Sequence, residues 1–242
     1  MNETLRQLYA RKSVRAFTDR EIDEETVQEI LTAAAMAPTA GNQQLYTILR
    51  ITDPELKESL AESCDHQPFI AKGKLVLIFC ADCLKWYDAF LAGNCDPRKP
   101  GVGDLLLAVS DALIAAQNAV VAAESYGIGS CYIGDIMESA EIHQKVLNLP
   151  EYVFPVGMLV FGYPTEQQKE RQKPPRADNR FLVHENTYHR LSPEELRTML
   201  TKNCTPETYG DWLLKFCNRK YNSDFSREMT RSVGVYLKQF EE

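Results

Sequence analysis

The sequence is short of the residues that usually mark a metal centre or a covalent catalyst. Among 242 residues there are four histidines, His66, His143, His184 and His189. None stands at metal-ligand spacing from another histidine or a cysteine. There is no G-x-G-x-x-G after a strand, no P-loop, no H-E-x-x-H and no G-x-S-x-G. The local signatures of dinucleotide, nucleotide, zinc-peptidase and serine-hydrolase sites are therefore missing. Positive charge is also scarce: a net charge of −7 and a pI near 5.3 argue against nucleic acid as the main partner. Residues 1–10 are amphipathic and lack the apolar core of a signal peptide. The longest apolar stretch is broken by polar pairs, whereas a membrane span wants about 18 or more uninterrupted apolar residues. Seven cysteines at irregular spacing suit reduced thiols in a cytoplasm and not a disulfide framework.

What is present is material for a large core. With 44% hydrophobic residues the chain is globular, one large domain or a domain plus an extension. Its centre is the stretch 104–135. Residues 105–126 predict one long helix whose polar residues recur in pairs seven apart: Ser110-Asp111, Gln117-Asn118 and Glu124-Ser125. So narrow a polar stripe predicts burial on most of the helix circumference. Gly127 suits the helix end. Gly127, Gly129 and Gly134 surround an apolar strand, which suggests a backbone approached closely by something flat and bulky.

Around this centre the pattern is mostly helical. A short helix over 3–10 ends in Arg11-Lys12-Ser13-Val14-Arg15. Three cations and a hydroxyl within five residues are what a phosphate dianion needs, although alone they also fit a solvated helix end. Asp23 caps a helix that Pro38 ends, and 38–44 is a loop rich in amides. Strands are predicted over 47–52, 75–81 and 154–163, and Asp53-Pro54 opens a helix. Residues 85–103 read as an irregular segment, Ser139 as the cap of a helix to about residue 147, and 167–178 as a polar loop with Lys173 and Arg176. Three helices follow: one with the capping box Ser192-Pro193-Glu194-Glu195, one opened by Thr205-Pro206, and a last amphipathic one carrying Phe225, Met229, Val233, Tyr236 and Phe240. Few strands and many helices predict an α+β layout. Cys80 and Cys83 form a C-x-x-C at the end of a buried strand, which favours structural thiols over a redox pair. The spacing of Cys64, Cys80, Cys83 and Cys95 does not suggest a zinc or iron–sulfur site. The remaining features describe a site that binds and orients a flat, polar cofactor.

Five motifs in order carry a resemblance. They are Arg11 through Phe17, Ala37 through Gln44, Gln67 before the 74–81 strand, Ala116-Gln117-Asn118 with Gly127, Gly129, Tyr132, Ile133 and Gly134, and Gly162-Tyr163-Pro164 with Lys173 and Arg176. Over residues 3–191 the chain resembles the FMN-dependent nitroreductase superfamily, in particular its NADPH-preferring nitroreductases and flavin reductases. The resemblance implies a homodimeric α+β fold, with a mostly antiparallel sheet between helices, a long central helix at the dimer interface and FMN between subunits. Residues 1–190 would form the FMN-binding domain, and 191–242 a helical extension packing on it. Arg11, Ser13, Arg15, Lys173 and Arg176 would hold the FMN phosphate, with Lys12 adding charge or backbone contacts. Thr39, Asn42, Gln44 and Gln67 would bond the ribityl chain and ring edge, and Tyr132, Ile133 and Gly134 would lie beside the ring.

The implied activity is ping-pong hydride transfer from NADPH or NADH to nitroaromatics, quinones or flavins, with no side chain as nucleophile. Alternatives are a dehalogenase-like or ene-type acceptor, an FMN storage or delivery protein, and, third, a thiol or metal protein. The chain departs from the family pattern at Asp135, where Gly is frequent, and at Pro174-Pro175 between Lys173 and Arg176. Arg197, Lys202, Arg219 and Lys220 are the candidates for the 2′-phosphate of NADPH.

Overall fold

The structure is a computed structural model, and it describes residues 1–241. The chain forms two compact units: Met1–Arg171 with Glu228–Glu242, and Gln172–Arg227.

The first unit is built on four strands, β1 (Tyr46–Ile51), β2 (Leu75–Asp82), β3 (Gly129–Ile133) and β4 (Val153–Gly162), in the order β1-β2-β4-β3 with every neighbouring pair antiparallel. All eight residues of β2 and all ten of β4 are buried, because helices cover both faces. The pleat sends alternate side chains to opposite sides. Leu75, Leu77, Phe79 and Ala81 enter a core shared with α2 (Glu24–Ala35) and α5 (Val102–Ser125). Val76, Ile78 and Cys80 enter a second core with Leu60, Ala61 and Cys64 at the end of α3 (Pro54–Ser63). Asp23 and Asp53 cap α2 and α3 as their sequence positions predict, accepting from the N–H groups of Thr26 and Glu55. The remaining helices of this unit are α1 (Glu3–Ala10), α4 (Leu84–Ala92), α6 (Ala140–Val146) and α7 (Glu166–Glu170).

Several expectations change. Residues 85–103 are not wholly irregular: α4 occupies their first part, residues 93–101 are loop, and the last two already belong to α5. The predicted 167–178 loop begins inside α7. Ser139 makes no side-chain cap and sits in the left-handed region at φ 47°. The first N–H of α6, from Ala140, is instead taken by Ser232 Oγ at 3.0 Å. The long helix is not buried on most of its circumference. It presses small residues inward (Ala108, Ala112, Ala115, Ala116, Ala119 and Ala123 are fully buried) and turns Leu106, Leu107, Leu113 and Ile114 outward, Leu106 at 61% exposure. By length and composition this helix could cross a membrane. The buried alanine face belongs to the core of this unit.

The chain from residue 228 completes the first unit. Within α10 (Asp224–Leu237), Tyr236 is fully buried and meets Phe154 edge-on at 5.0 Å. Arg231 holds both carboxylate oxygens of Glu141 at 2.8 Å.

The second unit contains α8 (Pro193–Leu200) and α9 (Tyr209–Lys220). The Ser192/Glu195 capping box forms as the sequence predicts, with Pro193 at the first helical position. α9 starts after Thr205-Pro206, because Thr205 and Thr208 first close a hydrogen-bonded turn on each other. The four candidates for a 2′-phosphate are engaged locally. Arg197 lies over Tyr209 at 4.8 Å, Arg219 over Phe216 at 5.4 Å, Lys220 over Phe225 at 5.7 Å, and Lys202 pairs with Asp178 at 2.5 Å.

Candidate functional site

The segment after α1 is held as a strap along the sheet. Val14 donates its N–H to the Ser130 carbonyl at 2.9 Å and Thr18 to the Tyr163 carbonyl at 2.8 Å, while Thr165 donates to the Ala16 carbonyl at 3.2 Å. This contact explains two glycines. A Cβ on Gly129 would lie 2.6 Å from Val14 Cγ2, and one on Gly162 would lie 2.6 Å from Phe17 Cγ. What approaches these glycines so closely is the protein's own strap, not a flat ligand. Gly127 takes the left-handed conformation at φ 69° that ends α5.

Arg11 lies at the start of the strap with its guanidinium 5.8 Å from the Tyr132 ring centre. Its Nε and Nη2 atoms are covered from solvent without a hydrogen-bond partner, and so is Ser130 Oγ. Leaving such donors unpaired costs free energy, so an anion brought to them gains from a deficit already present. Tyr132 donates its hydroxyl to Gln117 Oε1 on α5 at 3.3 Å, and burial pushes its phenol up to about 12, so it stays a neutral donor. The Arg15 N–H reaches Gln168 Oε1 at 3.3 Å. Lys12 points elsewhere: its ammonium donates to the Lys169 carbonyl at 2.6 Å and to the Arg171 carbonyl. Arg171 donates in return to the Ser13 carbonyl. Lys12 is a structural latch here. The basic partner that the structure sets beside the strap is Arg171, where the sequence points to Lys173 and Arg176. Those two belong to the second unit, where Arg176 donates to the Pro174 carbonyl at 3.1 Å.

A second cluster gathers around Asp111. This buried carboxylate on α5 accepts from Thr39 Oγ1, from the Ala40 N–H at 3.1 Å and from the Leu45 N–H at 3.2 Å. Thr39, Asn42 and Gln44 are thereby held in one loop, with the amide of Gln44 donating to Asn42 Oδ1 at 3.0 Å. The only sequence signal for Asp111 was its place as the single acid of the 110–111 polar pair.

Gln67 donates its side-chain amide to the Cys64 carbonyl at 2.8 Å, closing the turn after α3. At the end of β3 the Ile133 side chain is buried and Gly134 has none, so this edge offers backbone groups. Beyond it, Glu138 is 7% exposed with Oε1 unpartnered. Burial, reinforced by Asp135, Asp65 and Glu228, pushes its carboxyl up to about 7. Cys64, Cys80 and Cys83 are buried free thiols, each pushed up to about 12 by burial. The C-x-x-C thus has no reactive thiolate at neutral pH.

A profile of the nitroreductase family matches residues 8–163. The chain belongs to the nitroreductase family. It is 30% identical to the FMN reductase (NAD(P)H) of Bacillus subtilis, over 99% of this chain and 92% of that protein. Among solved structures, NfrA2 of B. megaterium matches with a TM-score of 0.86 at 28% identity, over the whole of both chains. The NADPH:FMN oxidoreductase of Vibrio harveyi, solved in complex with NAD+, matches with a TM-score of 0.81 at 27% identity over 98% of each. The part matched to the nitroreductase family contains every candidate from Arg11 to Gly134, and Lys173 and Arg176 fall beyond it.

Proposed function

We propose that the chain is an FMN-dependent NAD(P)H oxidoreductase that reduces small electron-poor aromatics, quinones or flavins. The observation that carries the reading is the Arg11 guanidinium, set over the Tyr132 ring with Nε and Nη2 covered and unpartnered, in a chain similar along its length to FMN reductases. An anionic group of the size of a phosphate would satisfy those donors, and Ser13 and Arg15, on the same strap, join it in this reading. Lys173 and Arg176 join the phosphate set on sequence resemblance alone. Lys12 contributes by fastening the strap. FMN, when bound, supplies the centre that accepts hydride from the nicotinamide and passes it to the acceptor. The chain's own residues bind and orient. Thr39, Asn42, Gln44 and Gln67 supply neutral donors and acceptors suited to the ribityl hydroxyls and the ring edge. The β3 end at Tyr132, Ile133 and Gly134 supplies main-chain N–H groups, which stabilise negative charge developing nearby.

The outward Leu106, Leu107, Leu113 and Ile114 support a homodimer in which a second copy covers this face. Free thiols throughout fit a reducing cytoplasm.

The visible spectrum of the purified protein, recorded anaerobically before and after NADPH or NADH, tests the reading. A flavin spectrum that bleaches with nicotinamide and returns with a nitroaromatic or quinone supports it. A bound flavin that neither nicotinamide bleaches indicates storage or delivery, and no flavin after reconstitution with FMN refutes it.

A further inference from the structure

Asp111 has no place in the site as proposed, yet it organises the amide loop. It is 3% exposed on the inner side of α5, and all three hydrogen bonds described above come from the loop, from Thr39, Ala40 and Leu45. Thr39 Oγ1 in turn accepts from the Gln44 N–H at 2.8 Å. A hydroxyl has one proton and two lone pairs. Thr39 has given its proton to Asp111 and one lone pair to Gln44. Toward any ligand it can therefore only accept. The backbone conformation adds to this. Gly41, Asn42 and Gln44 have φ of 56°, 57° and 46°, a region unfavourable for side-chain-bearing residues that persists only where the surroundings fix it. The three bonds to Asp111 flank that segment on both sides.

We propose that Asp111 is the positioning residue of the amide loop: it sets residues 39–44 and fixes Thr39 as an acceptor for a donating ligand group. The class of group selected is a ribityl hydroxyl of FMN, in preference to a carbonyl or phosphate oxygen, which can only accept. This inference rests on the FMN reading above. Asp111 acts through Thr39 and the backbone, and it does not touch the ligand.

The experiment is titration of the full chain with FMN, read by quenching of flavin fluorescence, for wild type, Thr39→Ser, Thr39→Val, Asp111→Asn and the Thr39→Val/Asp111→Asn double variant. Thr39→Val and Asp111→Asn each weaken FMN binding by roughly ten- to a hundredfold, the loss of a hydrogen bond to a buried charge. Thr39→Ser keeps the hydroxyl and stays within about threefold of wild type, a rescue that a general packing role would not produce. The double variant is no weaker than Asp111→Asn, because the two residues share one chain of bonds. Thr39→Val binding FMN as wild type does, or losses that simply add, overturns the inference while leaving the FMN reading in place. A wild type that does not bind FMN removes both. Should Asp111→Asn fail to fold, the Thr39→Ser and Thr39→Val pair still decides.

Discussion

Gly129 and Val14 are in contact so close that no side chain fits between them: a Cβ on the glycine would stand 2.6 Å from one valine methyl and 2.9 Å from the valine Cβ. Gly129→Ala must therefore push the strap off β3 or distort the strand. It should cost about 1–3 kcal/mol of stability, the usual range for overpacking a filled core. Because Arg11, Ser13 and Arg15 ride on the strap, the same change should weaken FMN binding. Denaturant midpoints and flavin titration on one preparation check both, and an unchanged FMN affinity would separate the strap from the site.

Arg11 should matter for the phosphate and not for the ring. Arg11→Ala is expected to weaken FMN binding by roughly tenfold or more, as removing a charge-assisted partner does, while binding of riboflavin, which lacks the phosphate, changes little. Comparing the two ligands by fluorescence titration tests this directly. Equal losses for both would place Arg11 at the ring.

Glu138 should make the protein less stable as pH rises. Its carboxyl is pushed up to about 7 in the folded chain, above the ordinary carboxylate value near 4.3 that the unfolded chain has. Between these values the folded state holds the extra proton, so this contribution is fully present below about 4.3 and is lost as pH rises through about 7. Glu138→Gln should therefore raise the melting temperature at pH 8 relative to wild type, with the gain fading toward pH 5. Melting curves at the two pH values decide it, and a gain independent of pH would show that the charge is not the cause.

Thiol chemistry should divide the cysteines by burial. Cys95 and Cys217 are exposed and Cys204 half-buried, whereas Cys64, Cys80, Cys83 and Cys131 are buried. A colorimetric thiol reagent should label the first three in the native protein and reach the other four only on unfolding. Cys80→Ser and Cys83→Ser should leave the turnover rate with NADPH and a quinone unchanged. Loss of turnover in either would return the C-x-x-C to the chemistry.

The outward face of α5 predicts assembly. Leu106→Glu combined with Ile114→Lys should convert a dimer to a monomer in light scattering after size exclusion. A wild type that is already monomeric would refute the pairing.

Much of this architecture was legible because single residues had single physical roles. Asp23, Asp53 and Ser192 are caps, and they cap. The run 75–81 is apolar throughout, and it is a strand covered on both faces. The misses share a different character. α4 is hard to see in the sequence because Trp86, Tyr87 and Phe90 stand next to Gly93, Pro97 and Pro100, which lie after the helix. Ser139 has the sequence of a cap because nothing local reveals that Ser232, 92 residues beyond Ala140, takes the Ala140 N–H. Asp111 and Arg171 escaped for the same reason, since their partners in the 39–45 loop and at Ser13 lie far off in the chain. Gly129 stands out in the sequence, but its neighbour is Val14 of the strap and not a flat ligand: a missing side chain tells that something comes near, not what it is.

The way α5 is packed also links concentration to survival. With its alanines inward and Leu106, Leu107, Leu113 and Ile114 outward, α5 places small side chains in its own core and leaves large apolar ones on the face assigned to the proposed dimer. In that proposed dimer folding and pairing are linked, and by mass action the melting temperature should climb with protein concentration. Dilution alone would loosen the subunit.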